Sequence, residues 1–303
     1  MSTITLNPPE HCCRNLAHFL LARPAHQIEY KIVKSKMNKP QLTSTDRVTN
    51  ENGIELKPGD SHYRAYVGPP KKYDLIAAMQ FNLLTSLGLR QDHYLLDIGC
   101  GSLRAGRLFI PYLLPRHYYG IEPAQWLIEK GIENEVGADQ IRIKQPTFSN
   151  VSNFNLRVFN QHFDYLVAQS IFSHASITQI EHCLQEAAKI MSPEAIFAAT
   201  IVEGECNYSG EDWVYPECVH YTFEFFSTLA ARAGLVCSKL DCTHPNGQTW
   251  VSMKLNSAIP ISKISSSLAK SSKTSNSNLP NKSIISLLLK IIRKLTGSQK
   301  RFK

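Results

Sequence analysis

The sequence lacks several features that would place it in a simple class of protein. Its eight cysteines include no C-x-x-C pair, and no stretch of ~18 apolar residues is present that could cross a membrane. No charged segment followed by an apolar run occurs near its start, so no signal peptide is expected. The group Cys206, Cys218 and His220 lacks the close ligand pairs of zinc sites. These absences predict a cytoplasmic protein with reduced thiols and no bound metal.

Acidic residues are missing from the last part of the chain, and this explains the net charge of +8. Residues 256–303 carry ten lysines and arginines and no acid, whereas the remaining residues include 23 basic and 25 acidic ones. The positive charge therefore belongs to a tail and not to a basic face of the fold. A globular surface that binds nucleic acid needs basic residues on the folded part, so no nucleic-acid partner is expected.

Helix-type and strand-type patterns alternate between residues 71 and 255. Apolar residues at spacings of three and four predict helices at 73–87, 102–114, 124–136, 177–190 and 222–233. Short apolar runs predict strands at 93–98, 118–121, 163–169, 195–202, 235–240 and 249–255, with a less distinct one at 140–144. This alternation is typical of an α/β domain whose mostly parallel sheet is covered on both faces. No helix separates the last two strands, so they should pair antiparallel.

Segments of different composition flank the predicted domain. Residues 1–70 lack clear periodicity and are predicted to form a loosely ordered N-terminal extension. Residues 256–283 contain ten serines and no acid, as expected of a flexible linker. Residues 284–303 form a basic tail whose apolar part, 284–295, carries one narrow polar stripe. This tail could contact a membrane surface peripherally as a helix, dock on the domain or on a partner, or have no fixed structure.

The sequence Leu-Leu-Asp-Ile-Gly-Cys-Gly-Ser at 95–102 leads from an apolar strand through a glycine turn into a predicted helix. Gly99 and Gly101 permit a tight turn and let a ligand approach the backbone closely. Unpaired amides at a helix start near Ser102 would attract a carboxylate. Asp97, at the end of the strand, would accept hydrogen bonds from an ammonium group. Carboxylate and ammonium on one carbon describe the amino-acid end of S-adenosylmethionine.

Glu122 lies 21 residues after Gly101, at the end of the next predicted strand. A carboxylate in that place can accept hydrogen bonds from both hydroxyls of a ribose. A nicotinamide or flavin dinucleotide is a competing hypothesis, but its G-x-G-x-x-G pattern would need glycine at Arg104. Asp97 would also place negative charge beside the pyrophosphate. A glycine turn that binds nothing is the third alternative.

The segments LLDIGCGSLRAG, YYGIEP and FDYLVAQSIFSH, followed by the terminal strand pair, make residues 71–255 resemble the class I S-adenosylmethionine-dependent methyltransferases. The chain is most similar to the branch that acts on small molecules and lipids. The resemblance implies a Rossmann-like sheet of seven strands whose last strand is antiparallel. It also implies roles in binding S-adenosylmethionine for Asp97, Gly99, Cys100 and Gly101 in the first motif, Glu122 at the ribose, and Gln169 and Ser170 near the sulfonium.

The chain departs from the family pattern in places. Leu103 stands where many members have a third glycine, and Pro111 lies inside the predicted helix that follows the turn. Phe154 and Asn155 lie roughly where the family has an acid that contacts adenine. The Asn-Pro-Pro-Tyr type of segment, which enzymes that methylate nucleic-acid bases carry, is replaced by Gln-Ser-Ile-Phe at 169–172. The resemblance therefore implies a small acceptor, such as a small molecule, a sugar, a lipid or a natural product.

Four residues are candidates for the acceptor side. His174 could act as a general base, or be a hydrogen-bonded loop histidine. Glu203 could hold an acceptor, or lie in a solvated loop. Trp213 and Tyr215 have the amphipathic aromatic character of pocket residues, although they could also plug the edge of the sheet. No metal is implied, because the methyl group of a sulfonium is already activated and mainly needs alignment.

The sequence thus predicts an enzyme that transfers a methyl group from S-adenosylmethionine to an unidentified small acceptor. The alternative from a different functional class is a catalytically silent protein that binds the cofactor. Such a protein would act as a scaffold, tethered or docked through its C-terminal helix.

Overall fold

The computed structural model describes residues 52–257. Within this range a short 3-10 turn at Pro70–Lys72 leads into helices and strands that alternate along much of the chain. The helices are α1 (Tyr73–Ser86), α2 (Gly106–Tyr112), α3 (Gln125–Gly131), α4 (Ala138–Lys144), α5 (Ile177–Ile190) and α6 (Phe223–Arg232). The strands are β1 (Leu95–Ile98), β2 (Tyr118–Ile121), β3 (Thr147–Ser149), β4 (Phe163–Ala168), β5 (Met191–Ile201), β6 (Leu235–Thr243) and β7 (Thr249–Leu255).

The strands form one seven-stranded sheet in the order β3-β2-β1-β4-β5-β7-β6. Strands β1 to β5 pair in parallel, and β7 runs antiparallel to both β5 and β6. This confirms the predicted Rossmann-like sheet with an antiparallel last strand. The chain moves outward from β1 through β2 to β3, then returns to β4 on the other side of β1. A crevice forms where the strand order reverses, and the carboxyl ends of β1, β2 and β4 meet there.

Helices cover both faces of the sheet. On one face, α5 and α6 pack into the core through Leu184 and Phe226. On the other face, α1 and α2 contribute Leu84 and Phe109, which share a cluster with the fully buried Trp250 of β7. Burying an apolar side chain of this size stabilises the fold by about 1.5–3 kcal/mol. All four residues of β1 are buried as a result, as expected of a central parallel strand.

Helix α5 begins at a capping box. The hydroxyl oxygen of Ser176 accepts a hydrogen bond from the N–H of Gln179, and the side chain of Gln179 accepts one from the N–H of Ser176. This reciprocal pair satisfies two amide groups that the start of a helix leaves unbonded. The loop between β4 and α5, which contains His174, is therefore held where it joins α5.

Two predicted boundaries are wrong. Residues 140–144 belong to α4, and the strand β3 follows at Thr147–Ser149. Alternating polar and apolar residues imitate a strand there, but Ile143 is 51% exposed while Ile141 packs against the core. The helix predicted to start at Ser102 begins only at Gly106. Leu103 has φ of +58°, a left-handed conformation that interrupts a right-handed helix.

Residues 52–69, which the sequence assigns to the N-terminal extension, pack against the domain. Ala65 is fully buried. The hydroxyl of Tyr63 donates to Oε1 of Glu135 at 3.0 Å, and the guanidinium of Arg64 pairs with the same oxygen at 2.7 Å. This segment therefore contributes a fixed wall beside the crevice.

The predictions for residues 1–51, for the serine-rich linker beyond residue 257 and for the basic tail at 284–303 lie outside the described residues. Within residues 52–257, no helix is both long and apolar enough to cross a bilayer. The same range contains no group of three side chains placed to hold a metal ion.

Candidate active site

A cavity of about 670 Å³ lies at the carboxyl ends of the parallel strands. Gly99 follows β1, Glu122 follows β2 and Gln169 follows β4, and all three line this cavity. Other parts of its wall come from residues 58 and 66–69 and from residues 213, 215, 216 and 218. Small-molecule sites usually have volumes of roughly 300–1,000 Å³. The reversal of strand order therefore brings residues from distant parts of the sequence around one ligand-sized space.

The turn after β1 contains glycines in conformations that other residues rarely adopt. Gly99 has φ of +74° and Gly101 has φ of +53°. A Cβ atom on Gly99 would collide with Ile171, and one on Gly101 would lie 2.7 Å from Cγ1 of Val67. The missing side chains let Ile171 and Val67 close over the turn. Both glycines still line the cavity, so a ligand can approach their backbone closely.

Glu122 connects the end of β2 to this glycine turn. Its Oε2 accepts a hydrogen bond from the N–H of Gly101 at 3.1 Å, and its Oε1 accepts one from the N–H of Ala124 at 2.8 Å. Burial raises the pKa of Glu122 above its ordinary value, against the lowering effect of the two amides. Each carboxylate oxygen keeps a further lone pair, so Glu122 can still accept hydrogen bonds from a vicinal diol.

Asp97 lies behind the turn and outside the main cavity. It is buried, and its Oδ2 accepts a hydrogen bond from the hydroxyl of Tyr118 at 2.8 Å. Its side of the turn contains a second cavity of about 20 Å³, whose walls include Gly99, Gly101 and Arg104. Desolvation raises the pKa of Asp97 to about 6, although Tyr118 and Arg104 lower it. The small cavity has room for about one water molecule. A water molecule in it would therefore mediate any contact between Asp97 and the ammonium group of a ligand.

The predicted cradle of helix amides at Ser102 is not formed. Helix α2 begins at Gly106 and has seven residues. Ser102 is fully buried, and both its hydroxyl and its carbonyl oxygen lie 3.1 Å from the hydroxyl of Tyr73. The N–H of Gly101 is already bonded to Glu122. Any backbone amide that binds a carboxylate here would therefore belong to the irregular turn before α2, and the carboxylate-binding role of these amides stays a prediction.

Gln169 and Ser170 follow β4 and are held by polar side chains. Oε1 of Gln169 accepts a hydrogen bond from Arg104, and its Nε2 lies 3.1 Å from Nε2 of His244. The N–H of Ser170 donates to Oγ1 of Thr200 at 2.7 Å. Ser170 has φ of +61°, a conformation that is strained for serine and is common at functional turns. The end of β4 is thereby fixed against the cavity.

Comparison with known families agrees with this geometry. Residues 96–197, about a third of the chain, match a family model described as a methyltransferase domain. The matched residues include the glycine turn, Glu122, Gln169 and His174. Residues 96–197 therefore carry a methyltransferase domain. This match agrees with the expectation from the sequence of a methyltransferase that uses S-adenosylmethionine.

The chain is also similar to solved methyltransferase structures at low sequence identity. An S-adenosylmethionine-dependent methyltransferase from Clostridium acetobutylicum is 14% identical, with 65% of this chain and 93% of that chain covered and a TM-score of 0.45. A magnesium protoporphyrin IX methyltransferase from Synechocystis is 10% identical, with coverage of 61% and 81% and a TM-score of 0.47. A glycopeptide N-methyltransferase is 9% identical, with coverage of 59% and 94% and a TM-score of 0.46. The comparison with curated proteins gave no match.

His174 lines the cavity of the methyltransferase domain and has one ring nitrogen tied to the backbone. Its Nδ1 lies 2.9 Å from the carbonyl oxygen of Val214 and 2.8 Å from that of Glu217. Carbonyl oxygens only accept hydrogen bonds, so Nδ1 carries the proton and Nε2 has the lone pair. Burial lowers the pKa of His174, against the raising effect of the two carbonyls. The ring is therefore neutral near pH 7, and Nε2 is its basic atom.

Aromatic rings continue from His174 along the cavity. The rings of Trp213 and Tyr215 lie 5.6 Å and 5.1 Å from the ring of His174. The ring of Tyr66 lies 5.4 Å from that of Tyr215 and 5.2 Å from that of Trp126. The hydroxyl of Tyr215 also donates to the carbonyl oxygen of Tyr66. Tyr66, Trp213 and Tyr215 line the cavity and form an aromatic wall built from two segments of the chain, whereas Trp126 contacts Tyr66 from outside the lining.

Glu203 does not fit its predicted acceptor role. Its Oε1 pairs with Nζ of Lys239 at 2.6 Å, and its Oε2 accepts a hydrogen bond from Oγ1 of Thr249 at 3.1 Å. Val202 lines the cavity, whereas Glu203 does not. Successive side chains of an extended segment point to opposite sides, and this directs Glu203 away from the ligand space.

Two other residues of the predicted set lie beside the main cavity. Cys100 lines only the small cavity, and burial raises the pKa of its thiol. Asn155 precedes the 3-10 turn at Leu156–Phe159 and does not line the main cavity, whereas Phe154 does. Of these residues, Phe154 is the one that a ligand in the main cavity could contact, and Cys100 lies beside the small cavity only.

Sequence reasoning missed several residues of the cavity wall. Arg104 enters the sequence argument only as a departure from a dinucleotide pattern, although a lone basic residue within a glycine motif is itself a signal. Tyr66 and Val67 precede Gly-Pro-Pro, and a glycine-proline turn just before a helix could have marked a fixed segment. Val151 lines the cavity together with Phe154. No sequence pattern marks Val151, because its position depends on the loop after β3.

Proposed function

We propose that this enzyme transfers the methyl group of S-adenosylmethionine to a hydroxyl of a small, uncharged and largely apolar acceptor, with His174 as general base. The observation that carries the proposal is the imidazole of His174. Two carbonyl oxygens hold its Nδ1, and the ring lines the ligand cavity with Nε2 as the basic atom. A neutral histidine with a fixed tautomer is suited to accept a proton during transfer to a hydroxyl.

The residues around the cavity fit the donor. Gly99 and Gly101 present backbone without side chains, which permits the close approach that the amino-acid end of the donor requires. Glu122 keeps free lone pairs for the ribose hydroxyls. Val151 and Phe154 offer apolar surface on the side of β3, where the adenine would lie. When bound, S-adenosylmethionine supplies an electrophilic methyl group on its sulfonium.

The chain's own residues orient the acceptor and remove its proton. The aromatic wall offers flat, largely apolar surface against which an acceptor can be aligned with the methyl carbon. Nε2 of His174 accepts the hydroxyl proton while the acceptor oxygen bonds to the methyl carbon and the carbon–sulfur bond breaks. The resulting imidazolium keeps both carbonyl contacts at Nδ1, which favour its positive charge.

The charges in the cavity support an uncharged acceptor. Among the described residues of the lining, Glu122 is the one acid, and Arg104 and His174 are the basic groups. Glu122 and Arg104 both lie on the side of the glycine turn, where the donor would bind. The acceptor side therefore offers aromatic rings, prolines and amides but no carboxylate or ammonium that could hold a charged group.

The role of His174 can be tested with a matched pair of variants. His174→Gln should lower turnover by about 10²–10⁴-fold, because the acceptor proton loses its base. His182→Gln, an exposed residue on α5, should leave turnover unchanged. The readout is radiolabelled methyl transfer from S-adenosylmethionine to a panel of simple phenols, with calorimetric binding of S-adenosylhomocysteine showing that the donor site is intact. Equal turnover in His174→Gln and wild type would rule out His174 as the general base. Failure of wild type to methylate any phenol would rule out the proposed class of acceptor.

We also propose that the basic tail contacts anionic membrane surfaces. Its apolar part, 284–295, would be about 18 Å long as a helix, too short for a hydrocarbon core of ~30 Å. Basic residues at 290, 293, 294, 300, 301 and 303 lie in or beside it. An apolar helix flanked by lysines and arginines is suited to the interface of an anionic bilayer.

A further inference from the structure

Arg104 is a buried positive charge in the wall of the donor site. Its Nη1 donates to the carbonyl oxygen of Val67 at 2.8 Å, and its Nη2 donates to Oε1 of Gln169. Its Nε is buried and has no hydrogen-bond partner among residues 52–257. The acceptors that bond this guanidinium in the described part of the chain are thus neutral oxygens.

Burying a guanidinium away from water is costly unless an anion compensates its charge. Burial lowers the pKa of Arg104, whereas nearby groups, Asp97 among them, raise it. Asp97 attracts the guanidinium from a distance, but its carboxylate accepts its hydrogen bond from Tyr118. The charge of Arg104 is therefore only partly compensated by the protein.

Arg107, in the same region, is an arginine whose positive charge is fully neutralised by carboxylates of the protein. Its Nη1 pairs with Glu135 at 3.1 Å and its Nη2 pairs with Asp74 at 2.5 Å. Its Nε also lacks a hydrogen-bond partner among the described residues, but two carboxylates neutralise the group. Arg107 does not line either cavity, whereas Arg104 lines both. The arginine whose charge is only partly compensated is thus the one that a ligand can reach.

An anion that neutralises the remaining positive charge of Arg104 therefore has to come from the ligand. Glu122, the one acid among the described residues of the main cavity lining, is fixed by the amides of Gly101 and Ala124. The donor carries a single anionic group, the carboxylate of its amino-acid end. No regular helix start presents its amides to that carboxylate at Ser102, because α2 begins at Gly106. Arg104 lies in the wall next to the glycine turn, where this end of the donor would be held.

We propose that the guanidinium of Arg104 binds the carboxylate of the methyl donor and makes this carboxylate a requirement for tight binding. The proposal rests on S-adenosylmethionine being the donor, and it adds the residue that selects its amino-acid end. A guanidinium and a carboxylate can form two parallel hydrogen bonds, which fix orientation as well as affinity. The site therefore discriminates against adenosine thioethers and sulfoniums that keep the amine but lack the carboxylate.

Two ligands and three variants test this inference. The ligands are S-adenosylhomocysteine and its decarboxylated form, which keeps the adenosine, the sulfur and the amine. Calorimetry on the full chain should show that wild type binds the decarboxylated form about 10- to 100-fold more weakly. Arg104→Gln should bind both ligands about equally, near the affinity of wild type for the decarboxylated form. Arg107→Gln, the matched control, should keep the full preference.

The outcomes separate this inference from the function on which it rests. Equal binding of the two ligands by wild type, or an undiminished preference in Arg104→Gln, overturns the role of Arg104 while leaving the donor assignment intact. A wild-type protein that binds neither ligand overturns the donor assignment as well. Should Arg104→Gln fail to fold, Arg104→Lys serves instead. Its single ammonium cannot form the parallel pair and should show a reduced preference, and a full preference there counts against the proposal.

Discussion

Three titratable side chains lie in or behind the ligand cavity: Asp97 and His174, which are buried, and Glu122, which is half-buried. Desolvation is the largest influence on the pKa of each, and it favours the neutral form in every case. The two carboxyl groups therefore have raised pKa values, and they gain most from a ligand that supplies hydrogen-bond donors or positive charge. The imidazole has a lowered pKa and stays a base at neutral pH.

The pH profile of methyl transfer should follow His174. Because its pKa is below the ordinary value of 6.5, the ring is neutral at pH 7, and the rate falls only as acidification below 6.5 protonates Nε2. Measured as kcat/KM between about pH 5 and pH 8, wild type should lose activity toward acid with a single ionisation.

The residual activity of His174→Gln provides the control for this profile. It should lack the acidic limb, since glutamine does not titrate. An acidic limb of the same midpoint in the variant would assign the ionisation to another group, and Asp97, whose pKa is about 6, would be the first to examine.

At the scale of elements, the glycine turn depends on a segment that is distant in sequence. Val67 precedes α1 and closes over Gly101, which follows β1. Alanine at 101 would add strain from the positive φ and a Cβ contact with Val67 at 2.7 Å. The turn and the 52–69 segment are therefore expected to be energetically coupled.

Gly101→Ala should lower the free energy of unfolding by about 1–3 kcal/mol more than Gly247→Ala. Gly247 also has a positive φ, but a Cβ there would meet no atom within 4 Å. In a Val67→Ala background, the loss of unfolding free energy caused by Gly101→Ala should be smaller by at least about 0.5 kcal/mol than in the wild-type background, because Cγ1 of Val67 is no longer there to collide with the new Cβ. Chemical denaturation measures wild type and the four variants, which include Val67→Ala and the double variant. Equal losses for the two glycine variants, with no coupling to Val67, would show that the segment does not pack on the turn.

Local pattern was enough to predict several elements from the sequence. The predicted bounds of β2, α5 and β7 agree with the structure, because each has an apolar pattern of the correct period and a clear stop. The antiparallel end of the sheet followed from the absence of a helix between β6 and β7. The error at 140–144 has the opposite cause, since a seven-residue helix with two isoleucines also fits a strand pattern.

The site was predictable only where it depends on the motif itself. Glu122 and the turn at Gly99 and Gly101 are neighbours in the sheet, so the strand order brings them together. The contact between Val67 and the turn, and that between Arg104 and Gln169, join residues 34 or more positions apart. Tertiary packing sets such contacts, and no local periodicity records them.

At the scale of the whole molecule, charge is divided between a near-neutral domain and a basic tail. If the tail carries the membrane contact, the full chain should float with vesicles that contain anionic lipid, and residues 1–255 alone should not. Added salt should weaken flotation, because surface attraction between the tail and lipid headgroups is screened. Equal flotation of both proteins would rule out the tail as the membrane contact. Flotation with purely neutral vesicles would rule out electrostatic attraction as the cause of binding.

The central claim is that a methyl-donor nucleoside binds between Glu122 and the glycine turn. Calorimetric titration of the full chain with S-adenosylhomocysteine tests this claim most directly, using Glu122→Gln and, as a control outside the cavity, Glu203→Gln. We predict saturable binding by wild type and Glu203→Gln, and binding at least about 10-fold weaker in Glu122→Gln, because the ribose loses a charged acceptor. Absence of binding by wild type, or equal affinity in wild type and Glu122→Gln, would contradict the account.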